Sequence, residues 1–202
     1  MKTSAQQLLS LLLLPLSTFA APAGEIEARA CPDLTVIFAR GTTEIAPLGS
    51  VIGPEFLTAL KSAFGSSSVT MSGVPYAADV PGFLAGGDPT GSRVMASMVT
   101  SALSSCPDTK LVISGYSQGG QLVHNAAKLL PSDVTAKISA AVIFGDPDNG
   151  AAVQGVSASK TKIICHVGDN ICEHGDLILM PHLTYGMDAT AAASFVKQVA
   201  GR

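Results

Sequence analysis

Charge is scarce in this chain. Only 13% of its 202 residues are Asp, Glu, Lys or Arg, and the formal net charge is −3. A surface that neutralises phosphates needs clustered positive charge, so nucleic acid is not an expected partner. Tryptophan is absent and aromatics make up 5%, so the apolar share of 47% is mainly aliphatic. No C-x-x-C pair occurs, which removes the usual spacing of zinc and redox sites. Neither a metal nor an organic cofactor is expected. The asparagines are Asn125, Asn149 and Asn170, none in N-x-[ST], so N-glycosylation is not expected either. Internal repeats, heptads and long like-charge runs are missing too.

What is present begins with an export signal. Lys2 supplies a positive end, residues 8–14 an apolar stretch, and Thr18-Phe19-Ala20 a small-residue cleavage site. That stretch is too short to cross a bilayer and has no second candidate, so transmembrane anchoring is not expected. The chain therefore reads as a signal peptide over 1–20, a short pro-segment or frayed terminus over 21–30, and one secreted domain over 31–202, expected to be monomeric. Cys31, Cys106, Cys165 and Cys172 all follow the signal. Four exported cysteines imply two disulfides and allow three pairings. Cys31 and Cys106 each stand just before a strand-like run, and adjacent parallel strands would bring those starts together. Cys165 and Cys172 close a ring of eight residues. On a chain-entropy view the long loop contributes about 4–5 kcal/mol and the short ring about 2–3 kcal/mol.

Short continuous apolar runs predict strands over 34–39, 69–74, 111–114, 140–144 and 162–166. Helical patterns fall over 51–64, 92–103, 118–130 and 189–199. In the third, Leu122, Ala126 and Leu129 form one stripe and Pro131 follows its end. The alternation argues for a three-layer α/β fold with a mainly parallel five-stranded sheet and no large lid. Ligands in such folds bind beyond the carboxyl ends of the strands.

One of those ends carries Gly115-Tyr116-Ser117-Gln118-Gly119. This G-x-S-x-G pattern after an apolar run and before a helix puts Ser117 on a sharp turn, its Oγ held clear of the sheet. A serine nucleophile needs a base, and the base needs an orienting carboxylate, in the order Ser, Asp or Glu, His. His182, late in an irregular segment, fits that order, and His174 is the alternative. His124 lies two turns along the helix and is expected at or near the surface; His166, inside a strand, is expected to pack. Asp169 sits within the small cysteine ring 13 residues before His182, where a disulfide would fix an acid in place. Asp146 precedes a proline and suits a turn or cap, whereas Asp176 and Asp188 are expected to face solvent. The developing oxyanion would meet the N–H of Gln118 and that of Thr42, after the first strand.

From Cys31 to the C-terminus the chain resembles the fungal cutinases, secreted serine esterases. The matching stretches are Ala39-Arg40-Gly41-Thr42-Thr43-Glu44, Gly115 to Gly119, Gly145-Asp146-Pro147, Cys165 to Cys172, and Pro181-His182-Leu183-Thr184-Tyr185-Gly186. The resemblance implies a Ser117–Asp169–His182 triad, an oxyanion hole of Thr42 and Gln118, disulfides Cys31–Cys106 and Cys165–Cys172, and action on cutin and short to medium acyl esters. Thr42 replaces the serine often found at that position and keeps the hydroxyl. Acetylxylan esterases share the elbow and fold but carry more cysteines; a weakly catalytic, surface-binding or host-sensed protein is the reading from another class. Two apolar segments, Val80-Pro81-Gly82-Phe83-Leu84 and Leu177-Ile178-Leu179-Met180, suit either core packing or an exposed rim that grips acyl chains.

Overall fold

The computed structural model describes residues 31–201; the signal-peptide and pro-segment readings lie outside them. Five parallel strands stand in the order β2-β1-β3-β4-β5: β1 Leu34–Ala39, β2 Val69–Gly73, β3 Lys110–Tyr116, β4 Ile138–Phe144 and β5 Thr161–Ile164. Alternate side chains feed two cores. Leu34, Val36 and Phe38 of β1, with Val112, Val142 and Phe144, pack under α1 Gly53–Phe64 and α6 Ala189–Ala200. Ile37, Leu111, Ile113, Ala141 and Ile143 pack under α3 Pro89–Ser105 and α4 Gln118–Leu129. Helices cover both faces, which is why the central strands read as unbroken apolar runs.

The expected boundaries shift where local chemistry intervenes. Helix α3 starts three residues earlier than predicted, because Asp88 accepts from Gly91 N and Pro89 occupies a first-turn position that needs no N–H donor. A short helix that periodicity did not predict, α2 Val80–Leu84, forms because Asp79 accepts from Gly82 N at 2.8 Å and Pro81 fixes its first turn. Strand β5 stops at Ile164, where the chain leaves the sheet to close the Cys165–Cys172 ring. The α4 stripe is rotated from the predicted one: Leu122, Val123, Ala126 and Ala127 are buried and Leu129 is 55% exposed. The apolar face is centred between Val123 and Ala126, and Leu129 falls at its edge, beside Asn125 and Lys128 of the polar stripe. A short helix, α5 Ser132–Thr135, leads into β4.

Both disulfides join the expected partners. Cys31 and Cys106 lie 5.5 Å apart between Cα atoms, and Cys165 and Cys172 lie 6.0 Å apart. The first ties the start of β1 to the end of α3. The second braces the loop beyond β5. The parallel sheet delivers the loops after β1, β3, β4 and β5 to one edge.

Candidate active site

Ser117 occupies the turn from β3 into α4 with φ 55° and ψ −124°, a strained conformation for a residue with a side chain. A Cβ at Gly115 would strike Gly119 O, and one at Gly119 would strike Ala39 O. The turn is sharp because both neighbours lack that atom. Ser117 N donates to Phe144 O at 2.9 Å, which fastens the elbow to β4. The serine lines a cavity of about 430 Å³ with Thr42, Tyr116 and His182; Val80, Phe83, Leu84, Ile178 and Leu183 supply its apolar walls. A hollow of about 620 Å³ between α1 and α6 is larger but shares no lining residue with it.

Asp169 and His182 are brought together. Asp169 Oδ2 accepts from His182 Nδ1 at 2.8 Å and from the Tyr185 hydroxyl at 2.6 Å, and Oδ1 accepts from Ile171 N at 3.0 Å. Both members are essentially buried, at 0% and 1% exposure. Because Nδ1 donates to the carboxylate, the unpartnered Nε2 is left as the acceptor. The 3₁₀ turn Met180–Leu183 presents the ring. The Tyr116 hydroxyl donates to His182 O at 2.8 Å, and the two rings stack with centroids 5.0 Å apart. Burial, then the charge of Glu44, raises the Tyr116 pKa; burial, then the hydrogen bond to Asp169, raises that of Tyr185. Both phenols therefore remain donors at any ordinary pH.

The Thr42 loop is clamped from several sides. Glu44 accepts from Gly41 N, Ser50 N and Val51 N at 2.7, 2.8 and 2.9 Å. The buried Arg40 guanidinium donates to Glu44 O at 2.7 Å and Tyr76 O at 2.9 Å. Gln118 Nε2 donates to Thr42 Oγ1 at 2.9 Å and to Asp79 O at 2.8 Å. With its oxygen already accepting, the Thr42 hydroxyl keeps its proton for another acceptor. These side-chain roles of Tyr116, Tyr185, Gln118, Arg40 and Glu44 were missed from sequence. All five lie inside the stretches that carry the family resemblance, but none belongs to a chemistry-bearing pattern of its own.

The remaining assignments divide. Leu84, Leu177, Ile178 and Leu179 are 67%, 59%, 56% and 44% exposed, so they lie at the surface and not in the core. His174, the alternative base, donates Nδ1–H to Pro147 O at 2.8 Å and sits in left-handed backbone, φ 64°. His124 is not near the surface: it is 1% exposed and pairs through Nε2 with Asp146 Oδ2 at 2.9 Å, since helix α4 is covered on nearly every side. Asp146 does shape a turn, accepting Asp148 N at 3.0 Å. Asp188 does not simply face solvent; it pairs with His166 Nε2 at 2.7 Å. Among the described residues, no three His, Cys, Asp or Glu side chains gather as a metal-ligand set, and no helix is long and apolar enough to cross a membrane.

The sequence matches the family model described as Cutinase over residues 30–199. It is 83% identical over 201 residues to a cutinase of Monilinia fructicola, covering all of both chains. The fold superposes on a Trichoderma reesei cutinase solved with a C11Y4 phosphonate inhibitor: TM-score 0.82 and 49% identity, over 85% of this chain and 78% of the other. An acetylxylan esterase structure aligns with TM-score 0.70 and 27% identity, over 85% of this chain and all of the other.

Proposed function

Because the chain belongs to the cutinase family and is a serine carboxylic-ester hydrolase, we propose that Ser117, His182 and Asp169 are its nucleophile, base and orienting acid, and that cutin-like polyester is its substrate. The observation that carries this reading is the buried Asp169–His182 bond. It leaves His182 Nε2 without a partner in the same cavity as Ser117.

The reaction follows from that arrangement. His182 Nε2 takes the proton as Ser117 Oγ attacks the ester carbonyl, and Asp169 stabilises the imidazolium. The N–H groups of Gln118 and Thr42, with the Thr42 hydroxyl that Gln118 orients, receive the negative charge on the carbonyl oxygen. The imidazolium returns its proton to the departing alcohol. Water then enters, gives its proton to His182 and attacks the acyl group; as the intermediate collapses, the His182 imidazolium returns that proton to Ser117 Oγ and the acid is released.

The apolar walls and exposed rims suit an insoluble aliphatic ester. The acetylxylan esterase alignment keeps a second substrate in view. Two disulfides and the leader pattern support secretion; we read the enzyme as a monomer. The test compares wild type with Ser117→Ala on butyrate and palmitate esters, acetylated xylan and cutin. Ser117→Ala should lose about a millionfold in turnover with folding unchanged, and undiminished turnover would overturn the nucleophile. Acetylated xylan cleaved faster than cutin would overturn the substrate.

A further inference from the structure

We propose that His166 is a positioning residue that couples the acid loop to the base loop, holding Asp169 and His182 in register. The inference rests on the triad reading above. His166 follows Cys165 directly and belongs to the same ring as Asp169, whose N–H donates to His166 O at 3.0 Å. Its side chain reaches the other loop. Nδ1 lies 2.9 Å from Pro181 O and 3.1 Å from Thr184 Oγ1, and Nε2 lies 2.7 Å from Asp188 Oδ2.

A carboxylate accepts, so Nε2 donates to Asp188. Nδ1 lies against Pro181 O and the Thr184 hydroxyl, which is itself 3.0 Å from Pro181 O. Through its two nitrogens the ring bridges the peptide just before His182 and the first residues leading into α6.

A second link runs through Tyr185. The His166 ring stacks on it with centroids 4.2 Å apart and 21° between planes, and His166 N donates to the Tyr185 hydroxyl at 3.0 Å. That hydroxyl donates to Asp169 Oδ2 beside His182 Nδ1. Tyr116 holds the carbonyl of His182 on its far side. The base is thus gripped at the carbonyls of 181 and 182, and the acid from Tyr185. His166 touches no substrate; its effect travels through the placement of His182 relative to Asp169 and Ser117, where small displacements are costly.

The variants separate positioning from plain packing. Phe at 166 keeps a ring over Tyr185 and removes both ring nitrogens. Asn keeps one amide N–H near the Nδ1 position. On a soluble butyrate ester, His166→Phe should lower kcat roughly tenfold to a hundredfold with KM changed by less than about twofold. His166→Asn should recover most of that loss. The low-field proton resonance of the His182–Asp169 bond should broaden or vanish in His166→Phe and return in His166→Asn. Unfolding midpoints of all variants serve as the folding control. Equal turnover in Phe and Asn variants, or a change confined to KM or to the unfolding midpoint, would overturn the proposal. Undiminished turnover in Ser117→Ala would instead sink the triad itself, so the two failures are told apart.

Discussion

Two buried histidine–carboxylate pairs stand on either side of the turn after β4, and they are nearly alike in distance and burial. His182 meets Asp169 at 2.8 Å and His124 meets Asp146 at 2.9 Å, all four side chains at 1% exposure or less. The difference lies in what the second ring nitrogen meets. His182 bonds through Nδ1, so its Nε2 belongs to the cavity that holds Ser117. His124 bonds through Nε2, and its Nδ1 is buried without a partner. On the proposed reading, one pair has a nucleophile, oxyanion donors and an apolar approach; the other has only protein around it. A His–Asp pair becomes catalytic through its surroundings and not through its own geometry.

The comparison breaks most sharply at Asp169→Asn. The asparagine amide facing Nδ1 would donate, forcing the imidazole proton onto Nε2, where it blocks acceptance of the Ser117 proton. Turnover should fall about ten-thousandfold. A pre-steady-state burst on an activated ester measures acylation directly; an unchanged burst rate would refute the role of Asp169. The next effect comes from the donors. Thr42→Val keeps the shape and the backbone N–H but removes the hydroxyl that Gln118 orients. Turnover should drop about 100-fold, toward the lower end of what one oxyanion donor contributes. A matched loss in kcat and kcat/KM, with a soluble ester, identifies an interaction made only in the transition state.

Approach matters less than chemistry. Leu84 borders the cavity and is 67% exposed. Leu84→Ser should weaken adsorption to a polyester film about fivefold, since covering part of a leucine contributes on the order of 1 kcal/mol. The loss should shrink as the acyl chain of a soluble ester shortens. Equal losses on acetate and palmitate would mean that Leu84 serves the fold and not the chain.

The proposed active pair was legible in the sequence for a reason that did not apply to the other. An order rule linked Ser117 to a later acid and a still later base, and the eight-residue cysteine ring singled out Asp169. The sheet was legible because strands buried on both faces are continuous apolar runs. His124 and Asp146 carried no such rule: His124 falls on a polar stripe with Gln121, Asn125 and Lys128, and its burial depends on what packs over that stripe. The pairing of Asp188 with His166 could not be read because it joins two irregular loops, whose geometry has no period. Tyr116 and Tyr185 act through single hydroxyls, and a phenol that holds a loop is indistinguishable in sequence from one that packs.

The smallest expected effect on turnover is at the second pair, and it completes the contrast. Asp146→Ala strips His124 Nε2 of its acceptor and leaves a buried ring with no protein hydrogen-bond partner. Removing one partner of such a pair typically costs about 3 kcal/mol of stability, visible as a lower midpoint in urea. The cost falls on folding because neither Asp146 nor His124 lines the cavity that holds Ser117. Burst amplitude per folded molecule should match wild type, and kcat should stay within about threefold, the allowance for strain passed from Asp146 to Gly145, whose Cα packs against the His182 ring. A loss of turnover comparable to that of Asp169→Asn, at unchanged stability, would mean that both pairs serve the reaction and would remove the distinction between them.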